Sequence, residues 1–318
     1  MSAAYATRRP VLSSLELRCP PLPHTIVEAL DLIDHPQKMD KETVTQMVAR
    51  DPAVAARLLQ NVNSAYYGLK REVTSVERAV VLIGPVAVTG VVVGMNMLRL
   101  RSVIRDPVAA DAYMRLMKHL LATAFLVRHL DEGPPRGGSQ SDSKPDIGLS
   151  FTAGLLHDFG KIILVYNYAK QAASLYEEQA LQQQIAEPNL CRLEALLFGC
   201  DHTEAGEFAA GKLNFPDSLV TVIKRHHDSD LSDLPVDMQV LIRKVQASNL
   251  AASALGFGMG VPVNWAQCAA NPIWQHVYEA HSSGFDSPDA LVEDLRLQHY
   301  HLTAYLEPLT RLAEEARV

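Results

Sequence analysis

Hydrophobic residues recur along most of this chain at intervals of three and four positions, the spacing of an amphipathic α-helix. The first such segment, 24–33, follows a cluster of prolines. Asp40 is placed to cap a second helix over 41–50, and Asp51 and Pro52 open a third, because aspartate favours the N-cap and proline the first turn. The N-terminal part is therefore predicted to be a run of short helices.

The same periodicity continues through the rest of the chain. Ser75 is predicted to cap a helix that ends at Ile83, Pro85 opens an apolar helix, and a long helix follows over 107–129. Further helical patterns cover 151–168, 170–184, 190–198, 202–212, 216–227, 237–254 and 288–316. The sequence contains no convincing alternation typical of a strand ladder and no internal repeat, so the predicted class is all-α.

Two segments rich in glycine and proline divide the chain. Residues 132–148 are predicted to be a flexible loop, and 256–264 a break before the C-terminal helices. The resulting architecture is a two-lobed helical bundle. Its predicted parts are an N-terminal arm over 1–19, a first lobe over about 20–105, a second lobe from about 106 to 230, and C-terminal helices over 231–318 that complete and extend the second lobe.

The most apolar stretch, 79–97, approaches the length of a membrane span but contains Gly84, Pro85 and further small or polar residues. Its β-branched residues also suit a buried strand. Because amphipathic helices flank the stretch, a buried helix entered at Pro85 is favoured over both. No apolar run at the N-terminus is long enough for a signal peptide, so a cytoplasmic location and no membrane span are expected.

Composition and charge exclude some classes of function. The 318 residues carry a net charge of −7 with a pI of about 5.9, which argues against a nucleic-acid partner. The four cysteines form no CxxC pair, so reduced thiols are expected rather than a disulfide framework or a zinc ribbon.

The chemistry of the chain centres on His157 and Asp158, in the segment GLLHDFGK. Imidazole and carboxylate can bind the same metal ion, but adjacent side chains on a helix diverge by about 100°. A metal site at this pair therefore needs a crowded environment and further ligands from other helices. The candidate ligands elsewhere in the chain are His119, His202, His226, His227 and Asn249.

Alternative interpretations apply to the histidines. His119 alone fits a buried core residue, and only the other candidates favour a ligand role. A scaffold that binds no metal, with its histidines hydrogen-bonded inside the core, remains a third interpretation of the whole chain. His129 is expected to be a surface or helix-end histidine. The histidines without organised neighbours are expected to be solvated or locally hydrogen-bonded: His24, His35, His276, His281, His299 and His301.

Ordered motifs over about 20–254 resemble the HDOD domain, the HD-related output domain of bacterial signalling proteins. They are Leu22-Pro23, Asp51-Pro52, Leu58-Leu59, the segment NSAYYG at 63–68, Ser75-Val76, Ala79, LIG at 82–84, His119, GLLHDFGK at 154–161, GCDHTEAG at 199–206 and His226-His227. The segment NSAYYG is interpreted as structural, with Gly68 as the left-handed residue that stops a helix.

The resemblance implies relationship to the HD and HD-GYP phosphohydrolases, from which HDOD domains have generally been recruited as non-enzymatic output modules. It makes the second lobe HD-like and implies a divalent metal, either Fe, Mn, Zn, Ni or Mg. The implied ligands are His119, His157, Asp158, His202, His226 and His227, with Lys161 near the phosphate if the chain is an enzyme.

Two departures from the catalytic relatives favour a regulatory role. Asn249 stands where those relatives have a late aspartate, and a neutral amide is a poor substitute for carboxylate charge. No GYP motif follows His227. The expected function is a non-catalytic signal-transduction module that acts through contacts with signalling proteins. The alternative is a metal-dependent phosphohydrolase that acts on a nucleotide or phosphoester.

Overall fold

The fold is known from a computed structural model, which describes residues 16–64, 67, 69–133, 147–182, 187–259, 263–281 and 285–315. Within these ranges every regular element is a helix and no strand occurs, which confirms the all-α prediction. The arm before residue 16, Gly68 and most of the predicted loop 132–148 lie outside the described residues.

Five helices form the N-terminal lobe, and the predicted caps begin three of them. The carboxylates of Asp40 and Asp51 and the hydroxyl of Ser75 accept hydrogen bonds from backbone N–H groups of the following turn. The helices are α1 (His24–Asp34), α2 (Lys41–Ala49), α3 (Pro52–Val62), α4 (Val76–Ile83) and α5 (Pro85–Arg99). The other four all contact α5, which is therefore the centre of the lobe.

Two helical stretches are long and apolar enough to cross a membrane, Pro85–Val103 and Gly148–Asn167. They are 67% and 94% buried inside the protein. Every residue of α5 from Val88 to Leu98 is buried, as expected for a core helix surrounded by protein. Both stretches are core helices, which confirms the buried helix predicted at Pro85.

The second lobe is built around a long central helix. It consists of α6 (Pro107–Glu132), α7 (Ile147–Leu156), α8 (Phe159–Asn167), α9 (Ala169–Gln182), α10 (Glu187–Phe198), α11 (His202–Lys212), α12 (Asp217–Arg225) and α13 (Val236–Ala252). Helix α6 contacts α7, α8, α9 and α13. Helix α13, in the C-terminal region, packs on α6 and α7.

Four more helices follow a single π-helical turn at Ser253–Phe257: α14 (Trp265–Ala269), α15 (Ile273–His281), α16 (Pro288–Leu297) and α17 (His299–Glu315). Trp274 is 2% exposed and donates from Nε1 to the carbonyl of Cys268 at 2.7 Å, so it is a packing residue. Helix α17 contacts α3 and α5 as well as α6. The C-terminal helices therefore also brace the second lobe against the first.

The single helix predicted over 151–168 is wrong. The chain turns at His157 and Asp158, between the end of α7 at Leu156 and the start of α8 at Phe159. Asp158 adopts φ −97° and ψ 25°, and its carbonyl accepts from the N–H of Lys161 at 2.9 Å to begin the new helix. The break removes the 100° divergence of adjacent helical side chains, so both side chains point the same way.

Candidate metal centre

The predicted ligands lie at the ends of four helices and in the middle of a fifth. His119 lies in the middle of α6, His157 and Asp158 form the turn between α7 and α8, and His202 is the first residue of α11. His226 ends α12, and His227 follows it. These helices are neighbours in the packing of the second lobe, so the fold places six predicted ligands around one point.

That point is the carboxylate of Asp158. Its Oδ1 lies 3.3 Å from His226 Nε2 and 3.4 Å from His202 Nε2. Its Oδ2 lies 3.4 Å from His157 Nε2 and 3.7 Å from His119 Nε2. His227 Nε2 reaches the group through His202, with 3.0 Å between their Nε2 atoms. Each carboxylate oxygen therefore faces a different set of histidines.

Hydrogen bonds at Nδ1, the ring nitrogen opposite Nε2, fix the orientation and the tautomer of three of these histidines. The Nδ1 atoms of His119, His157 and His226 lie 2.8 to 3.0 Å from backbone carbonyl oxygens, which only accept, so Nδ1 carries the proton. Each Nε2 then presents a lone pair toward Asp158. Outer hydrogen bonds of this kind orient metal-binding histidines in proteins.

Glu194, in α10, performs the same task for His202 and was missed by the sequence analysis. Its Oε2 accepts from His202 Nδ1 at 2.6 Å and from the His202 backbone N–H at 2.9 Å, and its Oε1 accepts from the Tyr176 hydroxyl at 3.0 Å. Glu194 is completely buried. The available signal was a carboxylate inside the apolar run LCRLEALLF, where a charge is costly unless it is paired.

Burial and neighbouring charges decide which of these groups are neutral. Burial, with a smaller effect of His157, lowers the pKa of His119 to about 3, and burial also lowers the pKa values of His226 and His227. Burial acts against a charged His202, but the Glu194 carboxylate outweighs it and raises the His202 pKa. The three histidines with lowered pKa values keep their lone pairs at neutral pH.

Asp158 is ionised. Burial opposes its charge, but the ammonium of Lys161 outweighs burial and holds the pKa of Asp158 well below its usual range. Lys161 Nζ donates to Asp158 Oδ2 at 2.9 Å, and Lys161 is 1% exposed. The resemblance placed Lys161 near a phosphate, whereas the structure pairs it with the central carboxylate.

The donor set fits a divalent cation. Among the described residues, His157 Nε2 and Asp158 Oδ1 are buried side-chain atoms without a hydrogen-bond partner, which is costly unless something else binds them. Two donors that bind one tetrahedral zinc-sized ion at about 2.05 Å lie ~3.3 Å apart. Four separations match that spacing: His202 Nε2 lies 3.0 to 3.4 Å from the Nε2 atoms of His226 and His227 and from Asp158 Oδ1, and His226 Nε2 lies 3.3 Å from Asp158 Oδ1.

Asn249 lies on α13 and is half-buried. Its backbone carbonyl accepts from the Ser253 hydroxyl at 3.0 Å. Within the described chain its side-chain amide makes no hydrogen bond to the cluster. Helix α13 does contact α6, α7 and α12, which carry cluster residues. The role of Asn249 as a ligand therefore stays a prediction.

Two other histidines are locally hydrogen-bonded, as expected, and a third has a partner far away in the sequence. His35 and His276 bond to backbone carbonyls one helical turn away, at 3.0 and 3.2 Å. His129, in the last turn of α6, pairs with Asp294 at 2.5 Å. None of the four cysteines, which all lie within the described residues, forms a disulfide.

Most of the chain matches one known protein family. Residues 19–229 match the HDOD domain, which covers most of the first lobe and the second lobe through His227. This chain belongs to the HDOD family. An uncharacterized protein of Treponema pallidum (strain Nichols) is 24% identical over 231 residues, which are 73% of this chain and 41% of that protein. The HDOD chain thus spans less than half the length of this relative.

Solved structures share the fold of this HDOD protein. An HDOD domain protein of unknown function from Geobacter sulfurreducens has a TM-score of 0.74 at 18% identity, over 94% of this chain and 95% of that one. A protein of Marinobacter aquaeolei VT8 proposed for signal transduction has a TM-score of 0.70 at 20% identity, over 92% and 60%. A proposed phosphohydrolase from Shewanella amazonensis SB2B has a TM-score of 0.62 at 19% identity, over 91% and 94%.

Proposed function

We propose that this HDOD protein is a non-catalytic signal-transduction module whose histidine cluster holds a divalent cation as a structural element. The observation that carries the proposal is the burial of the cluster. His119, His157, Asp158, His202 and His226 are each 2% exposed or less, and only His227 is half-buried. A phosphoester needs an open coordination position beside the metal, and a cluster in which only His227 is half-buried offers a group of that size poor access.

A bound divalent cation would supply a Lewis acid and would hold several helices together. The side chains that would bind it come from α6, from the turn between α7 and α8, from α11 and from the end of α12. Lys161 neutralises Asp158 inside the protein rather than reaching outward toward a phosphate. Cation binding would therefore set how these helices pack, which is the property a regulatory module can communicate.

The proposed partners are signalling proteins that recognise the helical surface, in the cytoplasm. The net charge of −7 supports a protein partner over nucleic acid. The fold shared with the Marinobacter protein, proposed for signal transduction, is consistent with this role. At 20% identity that likeness concerns the fold, and function has to be argued from the site.

Phosphohydrolase activity is the second candidate function. The observation that favours it is the nearly complete ligand set, with lone pairs of His157 Nε2 and Asp158 Oδ1 left without hydrogen bonds. In that case a metal would activate water and Lys161 would offset phosphate charge. Burial of Lys161 against Asp158 and the neutral amide at Asn249 weigh against it.

The two functions are separated by one set of measurements on the full chain. Protein loaded with Mn²⁺, Fe²⁺ or Zn²⁺ is incubated with cyclic dinucleotides, nucleoside phosphates and a generic phosphodiester. We expect no metal-dependent turnover, and we expect a host protein to be captured by the loaded wild type but not by Asp158→Ala. Turnover that Asp158→Ala abolishes would establish the enzyme instead.

A further inference from the structure

We infer that the cluster takes one divalent cation, on its three-histidine side, and that the Lys161 ammonium replaces a second cation on its two-histidine side. The three-histidine side consists of Asp158 Oδ1 with His202, His226 and His227; the two-histidine side consists of Asp158 Oδ2 with His119 and His157. The inference rests on the proposed metal binding and specifies where the metal binds and why only one is held.

The two sides share only the carboxylate of Asp158. All of the donor atoms on the three-histidine side lie within 4.8 Å of one another, and so do those on the two-histidine side. The Oδ1 atom is buried without a hydrogen-bond partner, whereas Oδ2 already accepts from Lys161 at 2.9 Å. A cation on the first side meets an unused oxygen, but on the second side it has to share an oxygen with an ammonium.

Lys161 is held against Asp158 Oδ2, the oxygen that faces His119 and His157, by its own helix. It stands three residues after Asp158, so the two side chains are neighbours on one face at the start of α8. Lys161 is 1% exposed, so its ammonium is buried beside Asp158 and away from bulk water. A divalent ion bound by Oδ2, His119 and His157 would repel this ammonium at short range inside the protein, where charges are poorly screened.

The charges buried around the cluster also favour a single cation. Asp158 and Glu194 are anionic, Lys161 is cationic, and all three are at most 1% exposed. With the three ligand histidines neutral, as metal binding requires, the sum of these charges is one negative charge, which one divalent ion turns into one positive charge. A second divalent ion would leave three positive charges in the same buried volume, and uncompensated buried charge is strongly unfavourable.

Glu194 strengthens the three-histidine side alone. Its carboxylate accepts from His202 Nδ1 at 2.6 Å, whereas His119 and His157 bond to neutral carbonyls. A carboxylate behind a metal-bound histidine raises the basicity of that ligand. His227 is half-buried, so this side also has an entry path for the ion.

The test is metal stoichiometry on the full chain, stripped with chelator, reloaded with Zn²⁺ and analysed by elemental mass spectrometry and calorimetry. We expect one zinc per wild-type chain, one in His119→Ala and none in His227→Ala. Lys161→Met keeps a side chain of similar length without the charge and should bind two. The matched control is Lys244→Met, which removes another buried lysine, paired with Asp131 on α6, and should bind one.

Co²⁺ gives a readout of geometry, because four-coordinate cobalt absorbs visible light far more strongly than six-coordinate cobalt. Wild type and His119→Ala should share a strong spectrum that His227→Ala lacks. Three results would each overturn the inference while leaving metal binding intact. They are two zinc ions in wild type, one zinc ion in Lys161→Met, and loss of zinc in His119→Ala with retention in His227→Ala.

Absence of any bound metal in wild type would overturn the inference and the metal part of the proposed function together. Circular dichroism and thermal unfolding identify variants that fail to fold. If Lys161→Met does not fold, the comparison of His119→Ala with His227→Ala decides which side holds the ion.

Discussion

Gly160 marks the closest approach between α8 and α11. A Cβ atom added at this position would lie 1.6 Å from the carbonyl oxygen of His202, which no rearrangement of a side chain can relieve. Gly206, one turn further along α11, faces it, with Gly160 N 3.0 Å from the position its own Cβ would take. Backbone contact between these helices therefore places His202 beside Asp158.

The first prediction concerns this contact. Gly160→Ala should force α8 and α11 apart, lower the free energy of unfolding by about 3 kcal/mol and weaken metal binding. The matched control is Gly211→Ala, because a Cβ there meets nothing within 4 Å. It should be neutral or stabilise α11 by about 0.5–1 kcal/mol. Urea unfolding measures both, and equal stabilities would show that the close approach does not exist.

The second prediction at the scale of residues concerns Glu194. Glu194→Gln preserves the shape of the side chain but removes the charge that accepts from His202. Metal affinity should fall by about 10- to 100-fold, the usual effect of losing such an outer hydrogen bond. Glu207→Gln is the control, since that exposed carboxylate on α11 pairs with Lys224. Calorimetry that finds the same affinity in both variants would contradict a role for Glu194.

At the scale of elements, the start of α11 governs one ligand. Asp201 accepts from the N–H groups of Thr203 and Glu204, and the Glu204 carboxylate accepts from the N–H of Asp201, which forms a capping box. His202 is the next residue, so the cap orders the turn that carries it. Because caps can be read from sequence, this part of the site is predictable before the fold is known.

The third prediction follows from that cap. Asp201→Ala should cost about 1 kcal/mol of stability and weaken metal binding up to about fivefold, because the metal must then order a frayed turn. Asp40→Ala removes the cap of α2 in the first lobe at a similar cost in stability, and it should leave metal affinity unchanged. Urea unfolding and calorimetry test the pair. A weaker metal affinity in Asp40→Ala would show that caps act through global stability.

The turn between α7 and α8 shows what periodicity misses at the scale of elements. Apolar residues continue on both sides of His157 and Asp158, and 151–168 therefore has the pattern of one helix. The break depends on contacts from other helices, above all α11 against Gly160, and on His157 Nδ1 bonding back to Gly154 at 2.8 Å. Such contacts leave little trace in the local sequence.

For the whole molecule, stability should depend on pH when metal is absent. His119 has a pKa lowered to about 3 in the folded state, against about 6.5 unfolded. Between these two pKa values His119 is protonated in the unfolded chain but not in the folded chain, so acidification favours unfolding. The pKa values of His226 and His227 are lowered as well and act in the same direction, whereas the raised pKa of His202 opposes them.

The fourth prediction is the resulting acid sensitivity. From pH 6.5 to 5, His119 alone should remove about 1.6 kcal/mol from the free energy of unfolding of the metal-free protein, because the slope approaches 1.36 kcal/mol per pH unit only below the unfolded pKa. Urea unfolding at several pH values measures the slope, and His119→Gln should reduce it. A stability that is constant or rises on acidification would show that the cluster histidines are accessible to protons in the folded state.

The sequence by itself determined the helical class, the starts of the helices and the candidate ligands. These depend on short-range physics, since caps, proline placement and apolar periodicity act within a few residues of the chain. It also supplied the motifs from which the HDOD family was recognised.

Only the tertiary structure decided how the ligands divide around Asp158, that Lys161 bonds to its Oδ2, and that Glu194 supports His202. The helix break at His157 and Asp158 belongs to the same set. The ligand arrangement and the Glu194–His202 contact depend on atoms brought together from separate helices, with His119 and His227 lying 108 positions apart in the sequence. Burial then gives them their charges and pKa values, because desolvation exists only once the helices have packed.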